Sequence, residues 1–298
     1  MLISFGYEIV LCLSANSTVL FNLFVHPSRQ QDVLDGAEFS IEPNLPMEEF
    51  IDVFGNRSGR LFCPAGSLKF FQKGLIWDSG EFDPYVPHAK QIDVANLPNE
   101  VLPFLLPSRY CEVDSELAEF AWSNFGKISP GWARVEAICN FVHHHVKFDY
   151  QLARNNRTAL ETFHERVGVC RDFTHLAVAF CRCLNIPTRY VTGYLGDIRV
   201  PLEPYPIDFC AWMEVYLDGQ WYAFDPRNNT PRVGRIVVAY GRDASDVAMT
   251  TVFCPHYLQK FQVTTVEEEN VSEEDMKRLQ VMKNRQMKEE NKSQFALT

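Results

Sequence analysis

Three separate segments of this sequence carry side chains that could form a nucleophilic catalytic site. Cys170 stands just before a helical pattern of apolar residues, and Asp225 ends a strand-like segment. A cysteine at a helix N-terminus is favoured as its thiolate, which is the nucleophilic form. Such a nucleophile works with a base that a carboxylate orients. The segment Asp208–Trp212 is where that base is expected, but it offers Cys210 in place of a histidine.

A predicted hairpin relates Cys210 to Asp225. Asp218 and Gly219 fit a two-residue turn of type I′, which sets the pairing of the strands on either side. The expected pairs are Leu217 with Gln220, Val215 with Tyr222 and Trp212 with Asp225. Opposite residues share a face of a sheet, and so do alternate residues of one strand. We therefore expect Cys210, Trp212 and Asp225 to point the same way.

Three further residues are predicted to support the cleft. Arg171 adds positive charge beside Cys170, Asp172 is a candidate for an ion pair that braces the core, and Trp212 is a candidate wall of the cleft. Ion pairs of the same kind are expected at Arg189, Arg227 and Arg242. A purely structural role is the favoured alternative for each residue taken alone.

The histidines do not supply an obvious base or metal site. The chain has no histidine between His175 and His256. His175 lies five residues after Cys170 on the same predicted helix, about 140° around its axis, so it is a weak candidate base. Consecutive residues of a helix point in different directions, so the run His143–His145 is predicted to end a helix and not to bind metal. The sequence predicts no metal and no cofactor.

Composition limits the possible partners and surroundings. The 298 residues are 46% hydrophobic and 22% charged, with a net charge of −10 and a pI near 5.3. An acidic chain of this kind is not expected to bind nucleic acid. No segment is apolar enough for a membrane span, and the first residues predict a strand and not a signal peptide. Nine scattered cysteines without a CxxC pair indicate reduced thiols in the cytoplasm.

Local patterns predict an α+β architecture in three parts. Residues 1–104 are predicted to form a β domain, sandwich-like in arrangement, with strands at Leu2–Cys12 and Thr18–His26. Residues 105–265 place helices first and antiparallel strands second. The predicted helices cover Ser115–Phe125, Gly131–Val146, a capped turn from Thr158 and a longer stretch after Cys170. Residues 266–298 predict a charged helix or tail with Ser272 as its cap.

Two long strings in this chain resemble one family. The strings are GVCRDFTHLAVAFCRCLNIPTRYVTGYL and DFCAWMEVYLDGQWYAFDPRNN. They are similar to the bacterial transglutaminase-like family of predicted cysteine proteases. The resemblance implies a papain-like core after a β domain, with Cys170 as nucleophile and Asp225 as orienting acid. Cys210 stands at the family's histidine position, which is a departure from the family pattern.

Three functions remain open from the sequence. The first is amide-directed acyl transfer or hydrolysis through a Cys170 thioester, on a peptide or protein substrate and weakened because the histidine is absent. The second is a non-catalytic module that binds a peptide or protein in the same cleft. The third is a redox role in which Cys170 and Cys210 pair, although we expect the two thiols to be reduced and unbonded in the resting protein.

Overall fold

The computed structural model describes residues 1–202, 205 and 207–296 as a mixed α+β protein. The first 77 residues contain six strands and one short helix, α1 (Pro27–Gln30). The strands are β1 (Leu2–Leu13), β2 (Ser17–Phe21), β3 (Glu38–Glu42), β4 (Met47–Ile51), β5 (Arg57–Cys63) and β6 (Gly66–Trp77). Alternate residues of β1, including Ile3, Phe5 and Tyr7, are buried because successive side chains of a strand point to opposite faces.

Helices dominate the next part of the chain, as the sequence predicts. They are α2 (Glu116–Phe125), α3 (Trp132–His145), α4 (Ala159–Glu165) and α5 (Cys170–Cys183), with the short strands β7 (Lys147–Phe148) and β8 (Val167–Gly168) before and after α4. Ser115 caps α2 through its side chain, and Thr158 forms the predicted capping box with Glu161. Every residue of α5 from Asp172 to Cys183 is buried, which makes α5 the central helix of the core.

The antiparallel strands that follow form a sheet against α5. They are β9 (Thr188–Tyr194), β10 (Phe209–Leu217), β11 (Gln220–Phe224) and β12 (Ile236–Gly241), in the order β11-β10-β9-β12. Asp218 and Gly219 both have positive φ, as a type I′ turn requires. Val215 pairs with Tyr222, and Leu217 with Gln220, so the predicted hairpin register is confirmed.

The last strands of the chain return to the N-terminal sheets. They are β13 (Thr250–Val252) and β14 (His256–Glu267), which pair with β2 and β1 respectively. The two N-terminal sheets therefore have the orders β14-β1-β6-β3 and β13-β2-β5-β4. The sequence divides the chain after residue 104 and after residue 265, and these boundaries stay predictions. The strand pairing nevertheless joins residues from both sides of the first boundary.

The predicted C-terminal helix is present as α6 (Glu273–Ala296). The Ser272 hydroxyl accepts a hydrogen bond from the Asp275 N–H at 3.1 Å, as expected for a helix cap. Met282 of this helix is buried with Leu2 and Leu34, so the helix packs on the N-terminal region. None of the helices in the described ranges combines the length and the apolar character that crossing a membrane requires.

Candidate active site

Cys170 is the first residue of α5 and is partly exposed to solvent. The free N–H groups and the dipole at this end of a 14-residue helix favour a thiolate over a thiol. The Cys170 carbonyl accepts a hydrogen bond from the Thr174 hydroxyl at 2.8 Å, which ties the first turn together. The structure therefore confirms the prediction that Cys170 stands at the start of a helix.

A buried ion pair holds the start of α5 in place. The Asp172 carboxylate accepts hydrogen bonds from the Val169 N–H and from Arg157 Nη1, both at 2.9 Å. Burial raises the pKa of Asp172, and these two partners oppose the rise. Gly168 has no side chain to obstruct the carboxyl group, since a Cβ there would lie 2.6 Å from Asp172 Oδ2. Asp172 therefore positions the loop before Cys170.

Arg171 is directed at neighbours other than the thiol. Its guanidinium group stacks on the Tyr110 ring at 4.3 Å and donates a hydrogen bond to the Arg154 carbonyl at 2.9 Å. It also lies 3.9 Å from Asp172. These contacts give Arg171 a bracing role beside the site, in addition to the positive charge that the sequence predicts.

Cys170 and Cys210 face each other in one cavity. Both residues line a cavity of about 80 Å³ between α5 and the start of β10. The neighbouring Cys170 side chain is the largest cause that raises the pKa of Cys210 well above its usual range, and burial adds to the rise. The Cys210 thiol therefore keeps its proton more tightly than an ordinary cysteine. Both cysteines are free.

Tyr150 and Asp208 line the same cavity. The Tyr150 hydroxyl donates a long hydrogen bond to Asp208 Oδ2 at 3.5 Å. Burial raises the pKa of Asp208 to about 6, against the opposing effect of the Phe209 N–H and Tyr150. Burial also raises the pKa of Tyr150, and the charges of Asp208 and the two cysteines add to the rise. Asp208 is thus a titratable carboxylate beside the two thiols.

Asp225 is buried at the end of the hairpin, and its oxygens have protein partners. Asn228 donates to Oδ1 from its backbone N–H at 2.9 Å and to Oδ2 from its side chain at 2.8 Å. Arg235 donates to Oδ2 at 3.2 Å, and its Nε lies 2.9 Å from Asp83 Oδ1. Asp225 also lines a second cavity, of about 220 Å³, next to Phe224. The charge of Asp225 reaches Cys210, where it raises the thiol pKa.

Trp212 lies below the site and is completely buried. It packs with Val191 and Val237, and Cys210 contacts the same cluster. The Arg235 guanidinium lies 4.9 Å above the indole ring. The sequence predicts a wall of the cleft here, but full burial makes Trp212 a support beneath Cys210. The last paired residues of β10 and β11 are Met213 and Phe224. The predicted pair of Trp212 with Asp225 therefore lies one position beyond the paired part of the two strands.

His175 is engaged on the far side of α5. Its Nε2 accepts a hydrogen bond from the Ala244 N–H at 3.1 Å, and its ring stacks on Tyr110. Burial lowers the pKa of His175 well below the usual range. Among the residues that the structure describes, no histidine lines the cavity of Cys170. His175 therefore does not serve Cys170 as a base in this arrangement.

The run of histidines at the end of α3 forms separate hydrogen bonds. The rings of His143, His144 and His145 meet three different backbone carbonyls, those of Arg227, Asn140 and Phe163. Within the described ranges, no group of three or more His, Cys, Asp or Glu side chains is arranged to hold a metal ion.

The remaining predicted arginines differ in their partners. Arg189 forms an ion pair with Glu214 at 2.5 Å, and Arg242 forms one with Asp246 at 2.9 Å. The Arg227 guanidinium stacks on the Phe148 ring at 4.5 Å. The two ion pairs agree with the structural role that the sequence favours for these residues.

Four residues of the site escape the sequence prediction. Asn228 carries a local signal, because an aspartate followed by a polar turn often accepts hydrogen bonds from residues shortly after it. Arg235 and Asp83 carry none, because they meet Asp225 only through the packing of β12 and a distant loop. Asp208 stands in the quoted segment, but its raised pKa depends on burial that the sequence does not reveal.

The core of this protein is of α+β type, and a thiol begins its central helix beside an antiparallel sheet. Residues 123–226 match the family model of the transglutaminase-like superfamily. A solved structure from Cytophaga hutchinsonii, described as a "putative cysteine protease", is 28% identical, with a TM-score of 0.78 over 91% of this chain and 92% of that one. The region around Cys170 is therefore transglutaminase-like.

Curated relatives are similar over a shorter segment. An uncharacterised protein of Mycobacterium leprae is 35% identical over 94 residues, which are 30% of this chain and 33% of the relative. An uncharacterised protein of Mycobacterium tuberculosis is 37% identical over 91 residues, which are 28% and 29% of the two chains. The matched segment thus spans about a third of the length of these relatives.

Proposed function

We propose that this protein performs thiol-dependent acyl transfer or hydrolysis on amide substrates, with Cys170 as the nucleophile and at a low rate. The observation that carries the proposal is a partly exposed thiol at the N-terminus of α5, lining a cavity in a transglutaminase-like core. The similarity to the Cytophaga hutchinsonii protein supports the same chemistry. A peptide or protein is the proposed substrate class.

The proposed reaction proceeds in two stages. The Cys170 thiolate attacks the amide carbonyl carbon, and collapse of the tetrahedral intermediate leaves a thioester and releases an amine. Water or a second amine then attacks the thioester and regenerates the thiol. The departing amine needs a proton, and the thiol at 210 is a poor donor because its pKa is raised well above the usual range. The lack of an imidazole there is expected to slow the reaction by about 10²–10⁴-fold.

The test is Cys210→His, which introduces the missing imidazole beside Cys170. We expect amide or ester hydrolysis to rise by about 10²–10⁴-fold, the usual contribution of general acid–base catalysis. Asp225 Oδ1 accepts one protein hydrogen bond, from Asn228, so it retains capacity to orient a histidine ring.

Cys210→Ser is the matched control, because it changes the same position without adding a base, and it should give no increase. Cys210→His combined with Cys170→Ala should abolish the gain, and Cys210→His combined with Asp225→Asn should reduce it. A rate increase that persists without Cys170 contradicts the mechanism.

A non-catalytic binding module is the second candidate function. The observation in its favour is that Asn228 and Arg235 bind the Asp225 oxygens, while no histidine is among the described residues that line the Cys170 cavity. Tryptic peptides of casein, titrated calorimetrically against Cys170→Ala, test this function. Binding by this variant, together with no gain of hydrolysis in Cys210→His, favours the module over the enzyme.

A further inference from the structure

The two thiols of the cavity have unequal roles. Cys170 and Cys210 line one cavity, and the Cys170 side chain is the largest influence that raises the pKa of Cys210. Cys170 has the helix N-terminus, where a thiolate is stabilised, and it is partly exposed. One sulfur is thus suited to attack an external group, and the other is held beside it in protonated form. This asymmetry is what stepwise exchange between a dithiol and a disulfide requires.

We propose that Cys170 and Cys210 form a dithiol–disulfide exchange pair that reacts with small disulfide oxidants. This activity does not rest on the amide chemistry, since it requires neither a histidine nor Asp225. The oxidant is any accessible low-molecular-weight disulfide, written RSSR.

The exchange balances in two steps. The Cys170 thiolate attacks one sulfur of RSSR, the S–S bond breaks, and RS⁻ leaves with the electron pair, which gives a mixed disulfide on Cys170. Cys210 then loses its proton and attacks the Cys170 sulfur, and a second RS⁻ leaves. The two protein thiols lose two electrons and two protons in total, and RSSR becomes two RSH.

A proton acceptor for the second step lies in the same cavity. Asp208 precedes Cys210 by two residues, immediately before β10, and both residues line the cavity. The charged and polar groups that act on Cys210 are Cys170 and Asp225, which oppose its deprotonation, and Arg235, which favours it. Asp208 is therefore a positioning and proton-accepting residue for the resolving thiol.

The molecule contains a second pair of cysteines for comparison. Burial and the charge of Cys254 raise the pKa of Cys63, which makes these two residues a second pair of neighbouring cysteines. Cys63 Sγ donates to the Pro64 carbonyl at 3.3 Å, and Cys254 Sγ to the Ala15 carbonyl at 3.4 Å. Neither thiol of this pair begins a helix. They are expected to react more slowly and to remain unpaired.

Bis(2-hydroxyethyl) disulfide is a suitable oxidant, because it is small and uncharged. The full chain is treated with it, quenched in acid, alkylated under denaturing conditions and mapped as peptides without reduction. We expect a cross-linked peptide pair containing Cys170 and Cys210. Cys210→Ser should stop at a mixed disulfide on Cys170, and Cys170→Ser should give neither product.

Cys254→Ser is the matched control and should react like the unaltered chain. Asp208→Asn should form the mixed disulfide at an unchanged rate and resolve it more slowly. Two results would overturn the proposal. One is a mixed disulfide on Cys170 that persists in the unaltered chain, and the other is a Cys63–Cys254 bridge that forms first. The unaltered chain alone can give either result, so the proposal does not depend on the folding of a variant.

Discussion

The candidate site has a thiol end, formed by Cys170 and Cys210, and a carboxylate end, formed by Asp225. The two ends differ in whether other side chains already occupy their hydrogen-bonding groups. At the thiol end, Cys170 and Cys210 line one solvent-connected cavity, and Cys170 raises the pKa of Cys210. At the carboxylate end, Asp225 is buried and bound by Asn228 and Arg235. The nucleophile is thus available to a reactant, while the acid takes part in the internal structure. The presence of Cys170 and Asp225 at the expected positions is therefore not sufficient for catalysis by a nucleophile, a base and an orienting acid.

The difference predicts that the carboxylate end contributes more to stability than to chemistry. Arg235→Met leaves Asp83 and Asp225 without their shared cation in a buried environment. We expect the free energy of unfolding to fall by about 3–5 kcal/mol, the usual cost of breaking a buried ion pair from one side. Urea denaturation followed by circular dichroism measures it.

Arg242→Met is the matched control, because its ion pair with Asp246 is 40% exposed on the arginine side. Loss of an exposed pair is expected to cost about 0–1 kcal/mol. If both variants lost the same free energy of unfolding, the carboxylate end of the site would contribute no more to stability than an exposed ion pair does.

The thiol end predicts selective reactivity. Limiting iodoacetamide near pH 7 should label Cys170 about tenfold faster than the other partly exposed cysteines, because a helix N-terminus favours the thiolate. Burial raises the pKa of the thiols at Cys111, Cys139, Cys181 and Cys183, which slows their reaction further. Peptide mapping after short exposure gives the relative rates. Uniform labelling, or protection of Cys170 alone, would argue against an activated nucleophile.

The titration of Asp208 predicts a pH-dependent effect on stability. Its folded pKa of about 6 lies above the value of an unfolded aspartate, so the folded chain holds this proton more tightly. The resulting stabilisation is present at low pH and is lost as the pH rises through about 6. Relative to Asp208→Asn, the unaltered chain should lose about 1–3 kcal/mol between pH 4 and pH 7.

Urea denaturation of both proteins at the two pH values measures this difference. Asp93→Asn is the control for loss of one carboxylate at an exposed position. A difference between Asp208→Asn and the unaltered chain that stays constant with pH would contradict the raised pKa of Asp208 and weaken the proposed proton transfer from Cys210.

Much of the local structure follows from short-range signals in the sequence. The Asp218–Gly219 turn sets the register of the β10–β11 hairpin, because both residues accept positive φ. A short run rich in Phe, Val and Leu predicts β1, and Thr158 with Glu161 predicts the start of α4. The position of Cys170 at a helix start follows from the apolar stripe after it.

Strands without a clear local pattern were not predicted. The strands β3 and β4 carry few buried residues, and β14 is exposed along most of its length. Because one face of such a strand buries little apolar surface, its sequence lacks the alternation that identifies a half-buried strand. Pairing with β1 and β6 stabilises β14 and β3 in the structure.

Short-range patterns in the sequence predict the helices of the core and the places of Cys170, Cys210 and Asp225. The contacts of these residues follow from the tertiary arrangement alone. Cys210 stands 40 positions after Cys170 and lines the same cavity, and Arg235 joins Asp225 to Asp83, which precedes Arg235 by 152 positions. Helix starts and turns depend on neighbouring residues, whereas these contacts depend on how a sheet packs against α5. That packing arises from the whole apolar core, which no short segment encodes.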